Sequence, residues 1–222
     1  YEIGVRLVGS EMCIRDSDYI IYTEMKILKD NYIYILVSQT GTTISKILKI
    51  FTRKPYNHVS VACKEDLSEM YSFCRNKPER PLPATFNKEI IGEGTLGKYS
   101  FIPCELYRLP VTADQKILFM KNLEHFKRNR EIYSYNCIGL GFMFFNIAFS
   151  RKNKFVCSQF VGYMLEKSGI ESHIRKPVCL QTPEDFRHIQ GAELIYRGNL
   201  NNYPDFTDFI SKLLEQYPVR SA

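Results

Sequence analysis

The sequence predicts an α+β fold in which an antiparallel sheet carrying a histidine packs against a helix carrying a cysteine. A β-hairpin is indicated by the run from Pro55 to Cys63, where apolar and polar residues alternate, followed by a turn and a second β-rich run ending at Cys74. A helix is indicated after Cys157, because the next apolar residues share one helical face: Phe160, Val161, Met164 and Leu165. These patterns place His58 on the sheet and Cys157 in the first turn of the helix.

The other elements of the first half can be predicted in order. A β-rich apolar run over 30–38 predicts the first core strand. Gly41-Thr42-Thr43 has the composition of a helix start, and the helix is expected to run to about residue 51. Residues 75–98 are rich in proline, glycine and charge, which predicts a long surface loop. We expect this loop to border the site and to act as its lid.

In the second half, a strand over Tyr99–Leu109 precedes a helix that begins with a capping box at Thr112 and reaches about residue 128. The apolar run 137–149 is shorter than the roughly 20 residues that span a bilayer. We expect a buried core helix there, with contact to a membrane surface as the alternative. A short helix after Thr182, a last strand over 194–197 and a terminal helix over 205–216 complete the chain.

Length and composition predict one domain with a single hydrophobic core. The chain has 222 residues, of which 45% are hydrophobic. Residues 1–17 resemble a translated sequencing-adapter sequence, so we treat them as a non-native segment and expect the domain to span 18–222. If the native N-terminus is missing, a signal peptide could have been lost with it.

Cysteine usage and charge restrict the compartment and the partners. The seven cysteines are scattered, with no CxxC pair and no zinc-ligand spacing, so we expect free thiols, a reducing cytoplasmic compartment, no metal and no cofactor. The formal net charge of +6 suits an anionic partner, but the basic residues form no long run, and we expect no nucleic-acid binding. We also expect no stable membrane insertion. The oligomeric state stays open.

Cys157 lies where a cysteine can become a nucleophile. Unpaired backbone N–H groups and the positive end of the helix dipole favour a thiolate in the first turn of a helix. The plain alternative is a small hydrophobic residue at a helix start. His58, at the start of a strand, is a candidate base for a cysteine–histidine pair.

The order of these two residues points to a family. Papain-type enzymes place the cysteine before the histidine, whereas here His58 precedes Cys157. This reversed order, with NHVSV on a hairpin and FVCSQFV on a helix, resembles the circularly permuted papain-like cysteine hydrolases. They are the permuted branch of the NlpC-type superfamily, which also contains the lecithin:retinol acyltransferase relatives. The resemblance covers about residues 30–198, and residues 133–136 resemble the family's Tyr-Asp pocket segment, with Asn136 in place of the Asp.

The resemblance also implies a third polar residue, often His or Glu, on the second hairpin strand. A tight hairpin turning at 64–67 would pair Ala62 with Glu69, Ser60 with Tyr71, and His58 with Phe73. That register brings Tyr71 within diagonal reach of His58 and leaves Glu69 one pair further away. We therefore take Tyr71 as the third site residue.

The resemblance implies a cysteine hydrolase with a permuted papain-like fold, acting on a peptide, a peptidoglycan fragment or an acyl lipid. It would cleave an amide or ester bond through a Cys157–His58 thiolate–imidazolium pair and a thioester intermediate. One alternative is an acyltransferase or lipid-directed thiol enzyme, which the apolar run 138–149 favours slightly. The other is a non-catalytic binding domain, because the second hairpin strand lacks the family's His or Glu.

Overall fold

The computed structural model describes residues 31–40, 54–76 and 84–203, which form a mixed α+β fold. This confirms the predicted fold class. A six-stranded antiparallel sheet has the order β4-β3-β2-β1-β5-β8, and a short parallel pair, β6-β7, lies apart from it. The strands are β1 (Tyr32–Ser38), β2 (His58–Ala62), β3 (Met70–Arg75), β4 (Ala84–Glu89), β5 (Pro103–Pro110), β6 (Ser134–Tyr135), β7 (Lys154–Phe155) and β8 (Glu193–Asn199).

In the part of the chain that the structure describes, four α-helices and several 3-10 turns connect these strands. The helices are α1 (Gly94–Gly97), α2 (Ala113–Arg128), α3 (Cys137–Phe144) and α4 (Cys157–Lys167). The 3-10 turns are Arg130–Ile132, Val178–Leu180, Pro183–His188 and Leu200–Asn202. The predicted helices over 41–51 and 205–216 lie outside the described residues.

The central strand is β1, as its continuous apolar sequence predicts. It pairs with β2 on one side and with β5 on the other, and Ile33 to Ser38 are buried without interruption. A strand with neighbours on both edges and packed layers on both faces is expected to be apolar at every position, not at alternate ones. The helix carrying Cys157 packs over one face, and the chain around Leu96, Ile102 and Leu200 covers the other.

Aromatic side chains join α4 and α2 to the sheet. Phe126 and Phe160 have ring centroids 5.1 Å apart, and Phe160 lies 5.4 Å from Phe73 of β3. Tyr133 stacks on Phe126 at 4.3 Å. Each such pair contributes about 0.5–1.5 kcal/mol beyond the area it buries. The position of α4, and with it the position of Cys157, therefore depends on contacts deep in the core.

The prediction of a long loop over 75–98 is wrong. Residues 84–89 form β4, an edge strand that pairs along its whole length with β3, and 94–97 form α1. The three prolines at 78, 81 and 83 all precede Ala84, the first residue of β4, so none of them falls within the strand. Residues 77–83 lie outside the described residues.

The prediction of a buried core helix at 137–149 is also wrong. In α3 only Gly139 is buried, whereas Ile138 and Phe142 are exposed. The apolar run continues past the helix end with Phe145, whose side chain is 77% exposed. Within the ranges 31–40, 54–76 and 84–203, no helix combines the length and the hydropathy needed to cross a membrane.

Candidate active site

Cys157 is the first residue of α4, and only Val156 separates it from β7. Its neighbour Val156 has extended backbone angles, so the chain turns sharply from strand to helix at this point. The Gln159 side chain stabilises the turn, because its Oε1 accepts a hydrogen bond from the Val156 N–H at 3.2 Å and its Nε2 donates to the Cys179 carbonyl at 3.1 Å. Cys157 is 6% exposed. The structure therefore has the thiol at the helix N-terminus, as the sequence predicts.

His58 is the first residue of β2 and pairs with Ser38, the last residue of β1. The turn that leads into it is fixed by Asn57, whose N–H donates to the Ser38 carbonyl at 3.2 Å. The Asn57 Oδ1 in turn accepts the Thr40 N–H at 3.2 Å. His58 is 8% exposed, and the Cys157 sulfur lies close enough to the imidazole to raise the pKa of His58. The two residues singled out by the sequence are thus brought together.

A third group holds the imidazole, and it is Glu89. His58 Nε2 lies 3.0 Å and 3.2 Å from the two carboxylate oxygens of Glu89, the last residue of β4. The Ser60 hydroxyl donates to Glu89 Oε2 at 2.5 Å. Both the carboxylate and the hydroxyl are buried, at 6% and 1% exposed. Glu89 therefore reaches across β3 and holds the ring through Nε2.

The charges in this cluster stabilise one another. Burial alone would lower the pKa of His58, but the Glu89 carboxylate and the Cys157 sulfur raise it well above its usual range. Burial would raise the pKa of Glu89, but His58 and the Ser60 hydroxyl keep it below its usual range. An imidazolium beside a carboxylate is therefore the favoured state near neutral pH.

Tyr71, the residue predicted to orient His58, lies elsewhere. The hairpin register is shifted by one residue from the prediction, since Ala62 pairs with Met70 and Val61 pairs with Tyr71. A shift of one residue turns a side chain to the other face of the sheet. Tyr71 consequently stacks on Phe86, with ring centroids 5.5 Å apart, and the Lys127 ammonium lies 4.8 Å from its ring centre. The loop between Ala62 and Met70 is one residue longer than a turn at 64–67 requires.

The sequence contained a signal for Glu89 that the prolines obscured. In Ala84-Thr85-Phe86-Asn87, small or apolar residues alternate with polar ones at the spacing of two that is typical of strands. The resemblance also implied a glutamate as one of the usual third residues. It is found here one strand later than expected, on β4 instead of β3.

A pocket of about 170 Å³ opens beside the thiol. Its walls are largely apolar, with a polar rim that includes Asn57 and Thr182; the apolar wall residues are Leu140, Met143, Val156 and Pro183. Tyr135 also lines it. Burial, followed by the negative charge that Cys157 carries when ionised, raises the pKa of Tyr135 well above its usual range. The Tyr135 hydroxyl therefore remains protonated at neutral pH.

Searches for related proteins add no assignment. No family model, no curated protein and no solved structure matches the chain. Among the residues that the structure describes, no three His, Cys, Asp or Glu side chains cluster as metal ligands would, and the six cysteines are free thiols. The case for a function therefore depends on the geometry around Cys157.

Proposed function

We propose that the protein is a cysteine hydrolase that cleaves an amide or ester bond, with Cys157 as nucleophile, His58 as base and acid, and Glu89 as the group that orients the imidazole. The observation that carries the proposal is the buried row of thiol, imidazole and carboxylate. A nucleophile, a base and an orienting group in mutual contact are the arrangement that activates cysteine and serine nucleophiles on unrelated folds. The permuted papain-like fold inferred from the order of the residues is part of this proposal.

In the first half of the reaction, Cys157 transfers its proton to His58. Nε2 is occupied by Glu89, so Nδ1 is the ring nitrogen left to accept this proton. The thiolate then attacks the carbonyl carbon, and the carbonyl π electrons move to oxygen. When the tetrahedral intermediate collapses, the imidazolium protonates the leaving nitrogen or oxygen. The products of this half are a thioester on Cys157 and a neutral His58.

In the second half, His58 accepts a proton from water while the water oxygen attacks the thioester. Collapse of the second intermediate releases the carboxylic acid, and the thiolate leaves beside the newly formed imidazolium. The pKa of Glu89 is below its usual range, so this carboxylate stays ionised and compensates the imidazolium charge at each step. The reaction needs no cofactor.

Two hydrogen-bond donors are available for the oxyanion. The backbone N–H of Cys157 lies in the first turn of α4, where it has no partner within the helix. The Tyr135 hydroxyl is the second donor, because it lines the same pocket and retains its proton. Removing one such donor costs about a hundredfold in kcat or more. Tyr135→Phe is therefore expected to lower kcat at least that much while leaving the rate of Cys157 alkylation nearly unchanged, and equal losses in both would contradict this role.

The pocket favours an apolar group on the acyl side of the substrate. Its walls of Leu140, Met143 and Val156 suit an aliphatic or aromatic moiety, which fits an acyl chain as well as an apolar peptide residue. The same lining supports the second candidate function, an acyltransferase in which an acceptor other than water resolves the thioester. A substrate screen with peptidoglycan peptides, simple esters and acyl lipids would separate the two.

The proposal is tested by competition among the thiols. Cys157 is buried while Cys137 is exposed, so exposure alone predicts that Cys137 reacts first with iodoacetamide. If the ionised pair exists, Cys157 reacts faster near neutral pH despite its burial. Peptide mapping by mass spectrometry of the folded chain measures both rates. His58→Ala should slow the alkylation of Cys157 without changing that of Cys137. Faster alkylation of Cys137 than of Cys157 in the unmodified protein would refute the ionised pair.

A further inference from the structure

The outer surface of α3 and the chain after it is apolar and exposed. Ile138 and Phe142 are four residues apart, so they lie on one side of α3, and Phe145 follows directly after the helix end. Their side chains are 51%, 37% and 77% exposed, and that of Ile147, just beyond the helix end, is 49% exposed. We call these four residues the apolar face. A helix that is apolar on all sides is normally buried, so an exposed face of this kind indicates a binding surface.

Positive charge follows the apolar face in the chain, and the segment itself carries no acidic residue. No aspartate or glutamate occurs between residues 137 and 154. Arg151 and Lys152 are exposed where the segment ends, and Lys154 is partly exposed beside them. Apolar side chains flanked by cations are typical of surfaces that lie in the interface of anionic membranes, where the apolar groups enter the acyl boundary and the cations approach the phosphates.

We propose that the apolar face and the cations Arg151 and Lys152 dock the protein on the surface of an anionic lipid bilayer. The eight residues of α3 are far fewer than the roughly 20 needed for a span, so the helix would lie within the interface. A second copy of this chain is less suited to cover the apolar face. Symmetric pairing through the same face would bring the cations of the two copies close together.

Docking in this orientation has a consequence for the pocket. Leu140 and Met143 of the same helix line the cavity beside Cys157, so α3 separates the pocket from the apolar face by the width of one helix. The membrane would lie against one wall of the pocket, where acyl-bearing molecules are concentrated. This consequence for substrate delivery rests on the proposed function, whereas the docking itself does not.

The test is co-sedimentation of the full chain with vesicles of phosphatidylcholine alone or of phosphatidylcholine mixed with phosphatidylglycerol. Binding is expected to the mixed vesicles and to weaken with added salt. The double variant Phe145→Ser/Ile147→Ser should weaken binding about tenfold or more, because two exposed apolar groups no longer enter the interface. Each of Arg151→Gln and Lys152→Gln should weaken it about fivefold at low salt.

Phe101→Ser is the matched control, since Phe101 is 67% exposed in the segment before β5 and should not affect vesicle binding. Cys157→Ser should bind vesicles as the unmodified chain does, which separates docking from catalysis. The proposal fails if neither vesicle binds, or if Phe101→Ser weakens binding as much as the double variant. It also fails if the double variant abolishes a dimer seen by analytical ultracentrifugation but leaves vesicle binding unchanged.

Discussion

Glu89 and Glu105 are two buried carboxylates on the same sheet, and their surroundings differ in one decisive way. In both, burial acts to raise the pKa, and hydrogen-bonded partners more than reverse that effect. The pKa of Glu105 falls to about 2. Their neighbours, however, are of different chemical types, and this difference separates a candidate active site from a structural ion cluster.

Glu105 is held by groups that keep their charge. Arg187 donates to it through Nε at 2.7 Å, Arg197 lies 2.8 Å away, and the Tyr107 hydroxyl donates at 2.5 Å. Guanidinium groups remain protonated at any pH a folded protein meets. Glu89 is instead held by an imidazole that can gain or lose a proton and that contacts a thiol. A perturbed carboxylate therefore marks a candidate site only when its partner can exchange a proton.

The largest expected difference between the two glutamates is in turnover. Glu89→Gln retains the shape of the side chain but removes the charge that stabilises the imidazolium, so kcat/KM should fall about a hundredfold or more. Glu105→Gln should leave kcat/KM of the folded protein nearly unchanged. Steady-state assays on whichever ester or peptide the substrate screen identifies would measure both. Equal losses in the two variants would mean that Glu89 has no role that Glu105 lacks.

A second difference is expected in stability, where Glu105→Gln should have a larger effect than Glu89→Gln. Glu105→Gln removes the carboxylate that pairs with both Arg187 and Arg197. Arg187 keeps Glu184 at 2.7 Å, so weakening this partly buried cluster should cost about 2 kcal/mol in the free energy of unfolding. Glu89→Gln should cost about 1 kcal/mol, because His58 can lose its proton and become neutral. Urea denaturation at neutral pH measures both. A larger cost for Glu89→Gln would mean that the imidazolium is a structural cation.

The smallest expected difference is in the pH dependence of folding stability. The native pKa of His58 is raised above its usual 6.5, so its stabilising contribution is complete below that value and is lost as the pH rises through the native pKa. The pKa of Glu105 is lowered from 4.5, so its contribution is lost in the opposite direction, as the pH falls from 4.5 towards about 2. Denaturation midpoints across pH should show both effects. His58→Gln should remove only the loss of stability at rising pH. If that loss persists unchanged in the variant, the raised pKa of His58 is contradicted.

Local sequence patterns predicted those elements whose neighbours are close in the chain. The first core strand, the capped start of α2 at Thr112 and the helix after Cys157 each depend on periodicity or on a cap within a few residues. The last strand, predicted over 194–197, is found as β8. The proximity of His58 and Cys157 came from the resemblance, because no local pattern relates two positions so far apart.

The failures have a common physical origin in long-range pairing. The hairpin register depends on how the loop after Ala62 closes, and this loop contains Leu67 in a left-handed conformation, with φ of 57°, which no pattern indicates. β4 is a strand because β3 offers it an unpaired edge. Exposure of the apolar residues in α3 could not be read from composition, since a buried helix and an interfacial helix have similar sequences.

The short parallel pair β6-β7 gives the segment between its strands an unusual independence. The Ser134 N–H donates to the Asn153 carbonyl at 3.1 Å, and the Asn136 N–H donates to the Phe155 carbonyl at 3.0 Å. The two ends of the segment are therefore hydrogen bonded to each other. Tyr135 and the start of the Cys157 helix lie next to these hydrogen bonds. Residues 145–150 lie within the segment between β6 and β7, outside both strands. They are therefore a natural place for insertions, deletions or grafted sequences. A change of length or sequence there would leave the strands that position Tyr135 and Cys157 intact.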